Sequence, residues 1–580
     1  MLNKFANRPK FPAHLVWTLS LVSILLVAAG LRLYALDSYP QRFNQDEMVA
    51  GYDGWSLWQT GRDHWGYVFP VFFRTFGDWV PPLANYITAP FVGVLGLSEF
   101  NTRLPSALFG IATVWLVALL GRRWFGRQAG LWAALLLATE PWHLNYSRIA
   151  FPASYVPFFT TATLYAFTRA SQILVESEQP AANTTKTKGW EGFSDTAKIN
   201  TRKASWWLVL SGLSFALLTA TYPTLKLQTP LLMGACLIAA PVLWQRRNWR
   251  LAMLWSGTFL VTVSPLIIAQ LTNWEAIQSR YNQYSIFQKN NWFFKIPAQY
   301  LNHYNPLNLF FKGFQEGVSV RPAQVGELFW LEGFLWLAAA HGLFWPNRWA
   351  APRGFHLPVL VGVWFITWPI AASLTILDHT HEIRSYNFLP LPELLAGYGA
   401  VVCWRELKRF ARGWRYSLAT GGLVVFLSFN WLFLGYFFGP PLLETNTPAQ
   451  DLPYNIGLAE ALAKMQPYRG PCDQLWLDSD NQGYISYLFL THYPPTRFQQ
   501  YSLAQNYSVD SAIRFDNIYF VQPDDPKVSP GGATLPCRGK DTRVVWITHQ
   551  PPTATGSWQT LAQTYNTRGS PVWYILTARR

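Results

Sequence analysis

The chain is organised around long apolar segments separated by short polar ones. A helix needs about 17 to 25 apolar residues to cross a bilayer. Segments of that kind occupy 14–36, 104–120, 127–143, 153–173, 205–222, 224–243, 250–269, 328–346, 355–377, 385–403 and 416–438. This pattern predicts a polytopic α-helical membrane protein with about 11 transmembrane helices. A further apolar stretch, 81–97, is ambiguous on length alone.

The placement of basic residues indicates the orientation of the chain in the membrane. Lys and Arg gather in KFANRPK, GRRWFGR, WQRRNWR, PNRWAAPR and WRELKRFARGWR, and in the 174–204 loop. If 81–97 does not span, all of these segments lie on the cytoplasmic side, as the positive-inside rule requires. We therefore predict a cytoplasmic N-terminus and cytoplasmic loop 174–204, whose insert 183–203 is polar and flexible.

The same topology leaves several segments on the outer face. They include a first loop, 37–103, with interfacial helices, and a second long loop, 270–327. The membrane domain thus extends over 1–440, and the remainder, 441–580, is also outside.

Residues 441–580 follow a different pattern. The segment 454–465 has helical periodicity, whereas DQLWLDSD, IRFDNIYFV, RVVWITH and PVWYILTA alternate or cluster apolar residues as strands do. We predict a soluble extracytoplasmic α/β domain. Cys472 and Cys537 lie in it and are a candidate disulfide, because an oxidising compartment favours one. Cys236 and Cys403 lie in predicted spans and are expected to be packing residues.

Composition and charge support a membrane protein. Half of the residues are hydrophobic and 13% are charged, well below the roughly 25% typical of soluble domains. The net charge of +15 could suggest a nucleic-acid partner. The basic residues, however, lie between apolar segments as topology signals do, so we expect no nucleic acid. The first apolar run is too long for a cleaved signal peptide and is expected to be retained.

Polar residues that could carry chemistry collect beside the outer ends of the predicted spans. They are Asp46, Glu47, Asp53, Asp63, Asp78, His143, Arg148, Tyr222, Lys226, His379, His381, Glu382 and Arg384. Considered alone, each acid can be explained as a solvated loop residue, and each cation as a residue whose side chain reaches the lipid headgroups. Together, acids that accept a proton and cations that hold an anion suit group transfer from a phosphate. The two histidines of HTHE are poorly spaced for a metal site on a helix.

Several motifs then match a known family in order over about 10–440. They are FNQDEMVAGYDGWSLWQTGRDHWG, FGDWVPPL, FNTRLPSALFG, EPWHLNYSRIAF, YLNHYNPLNLFFKG and HEIRSYNFLPLPELLAGYG. The chain resembles the GT-C glycosyltransferases that use polyprenyl-phosphate sugars. The most similar branch is glycosyltransferase family 39, which holds the protein O-mannosyltransferases and the lipid A aminoarabinose transferases.

The resemblance implies roles for individual residues. The first acid of the Asp-Glu pair, Asp46, would be the catalytic base, and Glu47 the second acid of the site. A carboxylate just before the Pro-Pro would contact metal or acceptor, which points to Asp78. Substrate-binding candidates are Glu47, Asp78, Arg148, Tyr222, Lys226, His381 and Arg384, and the candidates for a metal are Glu47 and Asp78. Many relatives have an Asp soon after the Arg of the second outer loop, and this chain has SRIAFPAS instead.

The implied activity is transfer of a sugar from a polyprenyl-phosphate donor to an acceptor hydroxyl, with inversion, on the extracytoplasmic face of a prokaryotic plasma membrane. One general base is sufficient, because the departing phosphate is a stable anion. The acceptor is a protein, a lipid or a polysaccharide, and membrane lipids surround the spans. No cofactor is required, and a divalent metal is compatible with the loop acids. The alternatives are a transporter or flippase of envelope glycolipids and a non-catalytic envelope-assembly protein. Asp53 is expected to be solvated or structural.

Overall fold

Helices occupy every apolar segment from which a span is predicted. The computed structural model describes residues 12–40, 43–76, 78–178, 190–274, 285–314, 325–344, 355–375, 381–439, 457–470, 473–478, 483–505, 514–521, 543–549, 558–565 and 569–579. The first helices are α1 (Ala13–Leu33), α2 (Gln45–Thr60), α3 (Leu83–Leu95), α4 (Glu99–Phe125), α5 (Arg127–Thr139), α6 (Pro141–Tyr146), α7 (Val156–Glu178) and α8 (Trp190–Thr219). They are followed by α9 (Leu225–Ala239), α10 (Trp249–Thr272), α11 (Trp292–Asn302), α12 (Trp330–Phe344), α13 (Leu357–Thr367), α14 (Ile370–Ser373), α15 (Leu391–Leu407) and α16 (Arg412–Phe437).

The number of membrane crossings stays a prediction. Within the described ranges, α1, α4, α10 and α16 are long and apolar enough to cross a membrane. Others, such as α9 at Leu225–Ala239, are apolar but shorter than the roughly 20 residues that a perpendicular span needs. The stretch 81–97 contains one of these shorter helices, α3.

The predicted flexible insert at 183–203 is wrong from residue 190 onward. Helix α8 begins at Trp190 and continues without a break into the apolar segment that ends at Thr219. No proline interrupts 190–203, and extending an existing helix costs far less than nucleating one. Residues 179–189 lie outside the described part of the chain.

Small residues let the central helices of the membrane domain approach closely. A Cβ added to Gly130 of α5 would lie 2.4 Å from the carbonyl oxygen of Ala118 in α4, and one added to Gly397 of α15 would lie 2.5 Å from that of Ala129. Such contacts between backbones are typical of helix packing in membranes. They fix α5, and hence the short helix α6 and the outer turn that follows it.

The segment predicted as the first outer loop, 37–103, contains two helices, α2 and α3, and a hairpin between them. Helix α2 begins with a capping box, in which the Asn44 side chain accepts from the Glu47 amide and Glu47 accepts from the Asn44 amide. It ends at Gly61, whose φ of 67° is a conformation that glycine adopts at little cost. Strands β1 (Phe73–Thr75) and β2 (Asp78–Val80) pair antiparallel and lead into α3.

The described residues after 457 form a mixed sheet with helices. The helices are α17 (Leu458–Met465), α18 (Gly483–Leu490) and α19 (Pro495–Gln505). The strands are β3 (Gln474–Asp478), β4 (Arg514–Phe515), β5 (Ile518–Val521), β6 (Arg543–Thr548), β7 (Gln559–Tyr565) and β8 (Pro571–Arg579), in the order β4-β5-β3-β6-β8-β7. Strand β3 is parallel to both β5 and β6. Cys472 and Cys537, the candidate disulfide, lie outside the described residues. Cys236 is a buried free thiol of α9, as expected for a packing residue, and Cys403 is a half-buried one of α15.

The C-terminal sheet domain rests on the first outer loop. The Tyr52 hydroxyl of α2 donates to the carbonyl oxygen of Tyr493 at 2.6 Å. The Gln499 amide nitrogen of α19 lies 3.0 Å from Ser56 Oγ, 3.0 Å from Thr60 Oγ1 and 2.9 Å from the carbonyl oxygen of Asp63. These hydrogen bonds attach α2, the helix that carries Asp46, to the C-terminal domain.

We expect Gln499→Leu to weaken this junction. The change removes a buried donor from three oxygens, and leaving buried polar groups unsatisfied costs about 1–3 kcal/mol. Thermal unfolding of the purified protein in detergent should shift to lower temperature. Gln500→Leu, at an exposed position of the same helix, is the control and should leave unfolding unchanged. Equal shifts for the two variants would contradict the role given to Gln499.

Candidate functional site

A cavity opens beside the first turn of α2. Its volume is about 180 Å³. The first loop contributes Asp46, Val49, Ala50, Thr75, Val80 and Asn85, and the other outer turns contribute Phe151, Pro152, Tyr222 and Pro223. The structure thus brings Asp46 and Tyr222, two residues predicted from the sequence, to the same cavity. The polar lining consists of these two side chains together with Thr75 and Asn85.

The adjacent acids Asp46 and Glu47 point in different directions. Successive residues of a helix are about 100° apart around its axis, so the two carboxylates cannot share one surface. Asp46 is exposed and lines the cavity, whereas Glu47 is fully buried behind it. The sequence predicted a pair of acids acting together, and the structure directs Asp46 to the cavity and buries Glu47.

Glu47 forms a bidentate ion pair with Arg103 of α4. Arg103 Nε donates to Glu47 Oε1 at 2.8 Å and Arg103 Nη2 donates to Oε2 at 2.9 Å. The amide of Ala150 also donates to Oε1, at 2.9 Å, and the amide of Asn44 to Oε2, at 3.3 Å. Because both oxygens accept from protein donors, the predicted substrate-binding and metal roles of Glu47 do not fit. Its role is structural.

Arg148 also differs from its prediction as a phosphate ligand. Its guanidinium is buried and donates to the carbonyl oxygen of Leu31, in the last turn of α1, at 2.5 Å. It also donates to the carbonyl oxygens of three residues in the segment after α1, Tyr34 at 2.7 Å, Ala35 at 3.0 Å and Tyr39 at 2.9 Å. The last carbonyls of a helix have no partners within the helix and attract a cation. Arg148 therefore caps α1 and does not line the cavity.

The other predicted cations lie outside the cavity lining. The Lys226 ammonium is 5.0 Å from the centroid of the Phe72 ring, about one turn from Tyr222 in sequence. His381 and Arg384 are half-buried in the turn before α15 and are not among the residues that line the cavity. Asp78 pairs through its backbone with Thr75 at the rim, and its side chain lies outside the described part, as does His379.

Asp53 was predicted to be either solvated or structural, and its contacts fit the structural role. It is buried, and its Oδ1 accepts from the His64 amide at 2.9 Å and contacts His64 Nδ1 at 2.6 Å. Its Oδ2 accepts from Asn85 Nδ2 at 3.3 Å. His64 Nε2 in turn lies 3.3 Å from the Tyr484 hydroxyl of α18.

Sequence reasoning did not select Arg103, Thr75 or Asn85. Arg103 lies inside the motif FNTRLPSALFG. The sequence signal that could have identified it is a basic residue near the start of a helix. Thr75 and Asn85 are neutral residues without a charge or spacing pattern to mark them. For a metal, no group of three or more His, Cys, Asp and Glu side chains within the described ranges could hold an ion.

Asp63 has an unusual environment at the end of α2. Burial, with the nearby carboxylate of Asp53, raises the pKa of Asp63 to about 7 from an ordinary value of 3.8. Its Oδ1 accepts from the Tyr67 amide at 2.8 Å, while Oδ2 is buried and accepts no hydrogen bond from the described residues. Below about pH 7 the folded protein therefore favours the protonated form of Asp63.

Comparisons with known proteins agree with this architecture. A family model described as dolichyl-phosphate-mannose-protein mannosyltransferase matches residues 79–244. No curated protein matches the chain in sequence. Among solved structures, ArnT from Cupriavidus metallidurans bound to undecaprenyl phosphate is 16% identical, with a TM-score of 0.52 over 97% of this chain and 98% of that one. The apo state of that protein gives 14% identity, a TM-score of 0.52 and 98% coverage of each chain.

An archaeal oligosaccharyltransferase is similar over a smaller part. AglB from Archaeoglobus fulgidus, in complex with an inhibitory peptide and a dolichol-phosphate, is 12% identical with a TM-score of 0.50. The match covers 82% of this chain, and the chain spans 64% of the length of AglB. Together these findings show that the chain has the GT-C glycosyltransferase fold, and they confirm the resemblance found in the sequence at that level.

We expect Glu47 and Arg103 to behave as a coupled pair. Removing one partner of a buried ion pair leaves a buried charge and costs about 3–5 kcal/mol. Glu47→Gln and Arg103→Met should each lower the free energy of unfolding by about that amount, and the double variant by less than the sum. Thermal unfolding in detergent measures the three shifts. Arg127→Met, at an exposed position of α5, serves as the control and should leave unfolding unchanged, and additive shifts would contradict the coupling.

Asp63 predicts a pH dependence of stability. Because its pKa is raised in the folded state, the stabilisation is fully present below about pH 4 and is lost as the pH rises through about 7. The unfolding temperature of the wild type should therefore fall between pH 5 and pH 8. Asp63→Asn keeps the acceptor for Tyr67 without the charge and should flatten that slope. An unchanged slope in this variant would show that another group is responsible.

Proposed function

We propose that the protein is a membrane glycosyltransferase that moves a sugar from a polyprenyl-phosphate donor to an acceptor hydroxyl, with Asp46 as general base. One observation carries this proposal: of two adjacent acids, one is held in a buried ion pair, and the other lines a cavity at the start of α2. The GT-C fold and the lipid phosphates named with ArnT and AglB support the donor class.

The proposed chemistry is a single displacement. The acceptor hydroxyl gives its proton to the Asp46 carboxylate while its oxygen bonds to the anomeric carbon. The bond between that carbon and the phosphate oxygen breaks, and the electron pair leaves with the polyprenyl phosphate. Attack from the face opposite the phosphate inverts the anomeric centre. No acid is needed for the leaving group, because a phosphate is stable as an anion.

Charge develops on the departing phosphate, and a fixed cation near it lowers the barrier. Lys226 suits this role better than Arg148, because Arg148 is committed to the carbonyls at the end of α1. Lys226 lies close in sequence to the cavity residues Tyr222 and Pro223. His381 and Arg384 are further candidates for the phosphate, in the turn before α15.

The site is proposed to lie on the extracytoplasmic face of a prokaryotic plasma membrane. The distribution of Lys and Arg in the sequence favours that orientation. The carrier lipid would lie among the spans, and the acceptor is a protein, lipid or polysaccharide that reaches the outer face. The reaction as proposed requires no redox cofactor.

Asp46→Asn tests the proposal directly. General-base catalysis contributes about 100- to 10,000-fold, so the variant should lose transfer by that factor. Because Asp46 is exposed, the variant should stay folded, with at most the small loss of stability that an acid in the first turn of a helix provides. The assay is release of polyprenyl phosphate from a panel of polyprenyl-phosphate sugars, measured by mass spectrometry.

Asp37→Asn is the matched control. Asp37 is an exposed acid of the same loop and does not line the cavity, so its variant should transfer as the wild type does. Full transfer by Asp46→Asn would remove Asp46 as the base. No release by the wild type with any donor would instead favour a transporter or an assembly protein.

A further inference from the structure

Two neutral polar side chains, Thr75 of β1 and Asn85 of α3, line the cavity beside Asp46. Both are buried, with 5% and 3% of their surface exposed. Burying a polar group without a partner is costly. Their placement on the wall of a cavity therefore calls for an explanation beyond packing.

The orientation of the Asn85 amide is fixed by Asp53. Oxygen and nitrogen of an amide must be assigned from the hydrogen-bond network. The Asp53 carboxylate, held by two contacts from His64, acts here as an acceptor, so it is the Asn85 nitrogen that faces it, at 3.3 Å. The carbonyl oxygen, Oδ1, then lies on the other side of the amide. Asn85 is set to present an acceptor.

Asp53 is itself held firmly. His64 contacts the same carboxylate oxygen through its backbone amide and its Nδ1. His64 Nε2 lies 3.3 Å from the Tyr484 hydroxyl of the C-terminal domain. The amide of Asn85 is thus at the end of a chain of polar contacts that begins in another domain, which gives it little freedom to turn over.

Thr75 supplies the complementary group. Its Oγ1 is buried and has no hydrogen-bond partner among the described residues. A threonine hydroxyl can donate as well as accept. An acceptor from Asn85 and a donor from Thr75 match the two needs of one alcohol, which donates its proton and accepts at its oxygen.

The size of the cavity limits what can occupy it. Drug-sized ligands fill cavities of about 300–1,000 Å³, and this cavity has about 180 Å³. A single sugar ring bearing hydroxyls suits that volume, whereas an oligosaccharide does not.

We propose that Thr75 and Asn85 form a subsite that binds one ring hydroxyl of the transferred sugar, and that Asp53 positions the Asn85 amide for it. The inference rests on the proposed function and adds a specificity determinant to it. The donor would accordingly carry a monosaccharide, and the enzyme would discriminate against a sugar that lacks that hydroxyl.

The test combines donor analogues with variants of the full-length protein. The donors are a polyprenyl-phosphate sugar that the wild type uses and the series of its monodeoxy analogues. A site built to bind a hydroxyl rejects the analogue that lacks it, because its polar groups are left unpaired. For the wild type we expect one analogue to lose about 10- to 100-fold in kcat/KM.

In Thr75→Val and Asn85→Leu the parent donor should lose about 10-fold or more, whereas that one analogue should lose little further. Two variants are used so that a folding defect in one does not decide the result. Thr88→Val is the matched control, because Thr88 is a buried residue of α3 outside the cavity lining. Thr88→Val should discriminate between the parent donor and that analogue as the wild type does.

Asp53→Asn separates positioning from folding. The new amide no longer dictates which atom of Asn85 faces it, so discrimination between the parent donor and that analogue should fall while transfer from the analogue persists. A purely structural role would lower transfer from all donors equally.

Three outcomes would overturn the inference. Discrimination that survives in both Thr75→Val and Asn85→Leu would remove these residues from sugar recognition. Equal losses with every donor, accompanied by a raised KM for the acceptor, would assign the subsite to the acceptor hydroxyl. If the wild type released no carrier phosphate at all, the proposed function would fail first.

Discussion

The buried ion pair between Glu47 and Arg103 is the contact on which the candidate site depends. It joins the first turn of α2 to α4, and Arg103 also donates to the carbonyls of Leu36 and Pro40. The loop after α1, the start of α2 and the turn at Ala150 therefore meet at this ion pair. A buried pair of this kind is weak support for stability because of its desolvation cost. Its geometry, however, fixes the rotation of α2, and so directs Asp46 to the cavity.

Two further constraints complete the frame around that helix. Arg148 donates to the carbonyl of Leu31 in the last turn of α1 and to those of Tyr34 and Ala35 just after it, which sets where the first loop begins. The C-terminal domain holds the outer side of α2 through Tyr52 and Gln499. Asp46 thus lies on a helix whose position is restrained by the Glu47–Arg103 ion pair, by the contacts of Arg148 with the end of α1 and by the C-terminal domain. Catalytic groups need positions fixed to within a fraction of an ångström, and rigid elements supply this better than loops do.

Length and periodicity predicted the helices well, because a membrane span is a long local signal that depends on little else. The Asp-Glu pair was also found, but the division between an exposed Asp46 and an ion-paired Glu47 was not predicted. That division depends on which carboxylate Arg103 reaches, 56 residues away, and no local pattern encodes the contact. The contacts of Arg148 with backbone carbonyls were not predicted for a related reason: a cation that binds phosphate and one that caps a helix look the same in sequence. Thr75 and Asn85 were not predicted as site residues, because neutral side chains carry no charge pattern in the sequence. Only the structure shows that they line the same cavity.

The ion pair of Glu47 with Arg103 also affects the electrostatic environment of the adjacent Asp46. Two neighbouring carboxylates at a reaction centre would repel each other, and each would disfavour the charge of the other. Arg103 neutralises Glu47, so Asp46 does not face an uncompensated carboxylate at its side. Asp46 also lies in the first turn of α2, where the helix dipole favours negative charge. A general base must be deprotonated before it can act. In the proposed mechanism, the Glu47–Arg103 ion pair therefore supports the charged form of Asp46 that a general base needs.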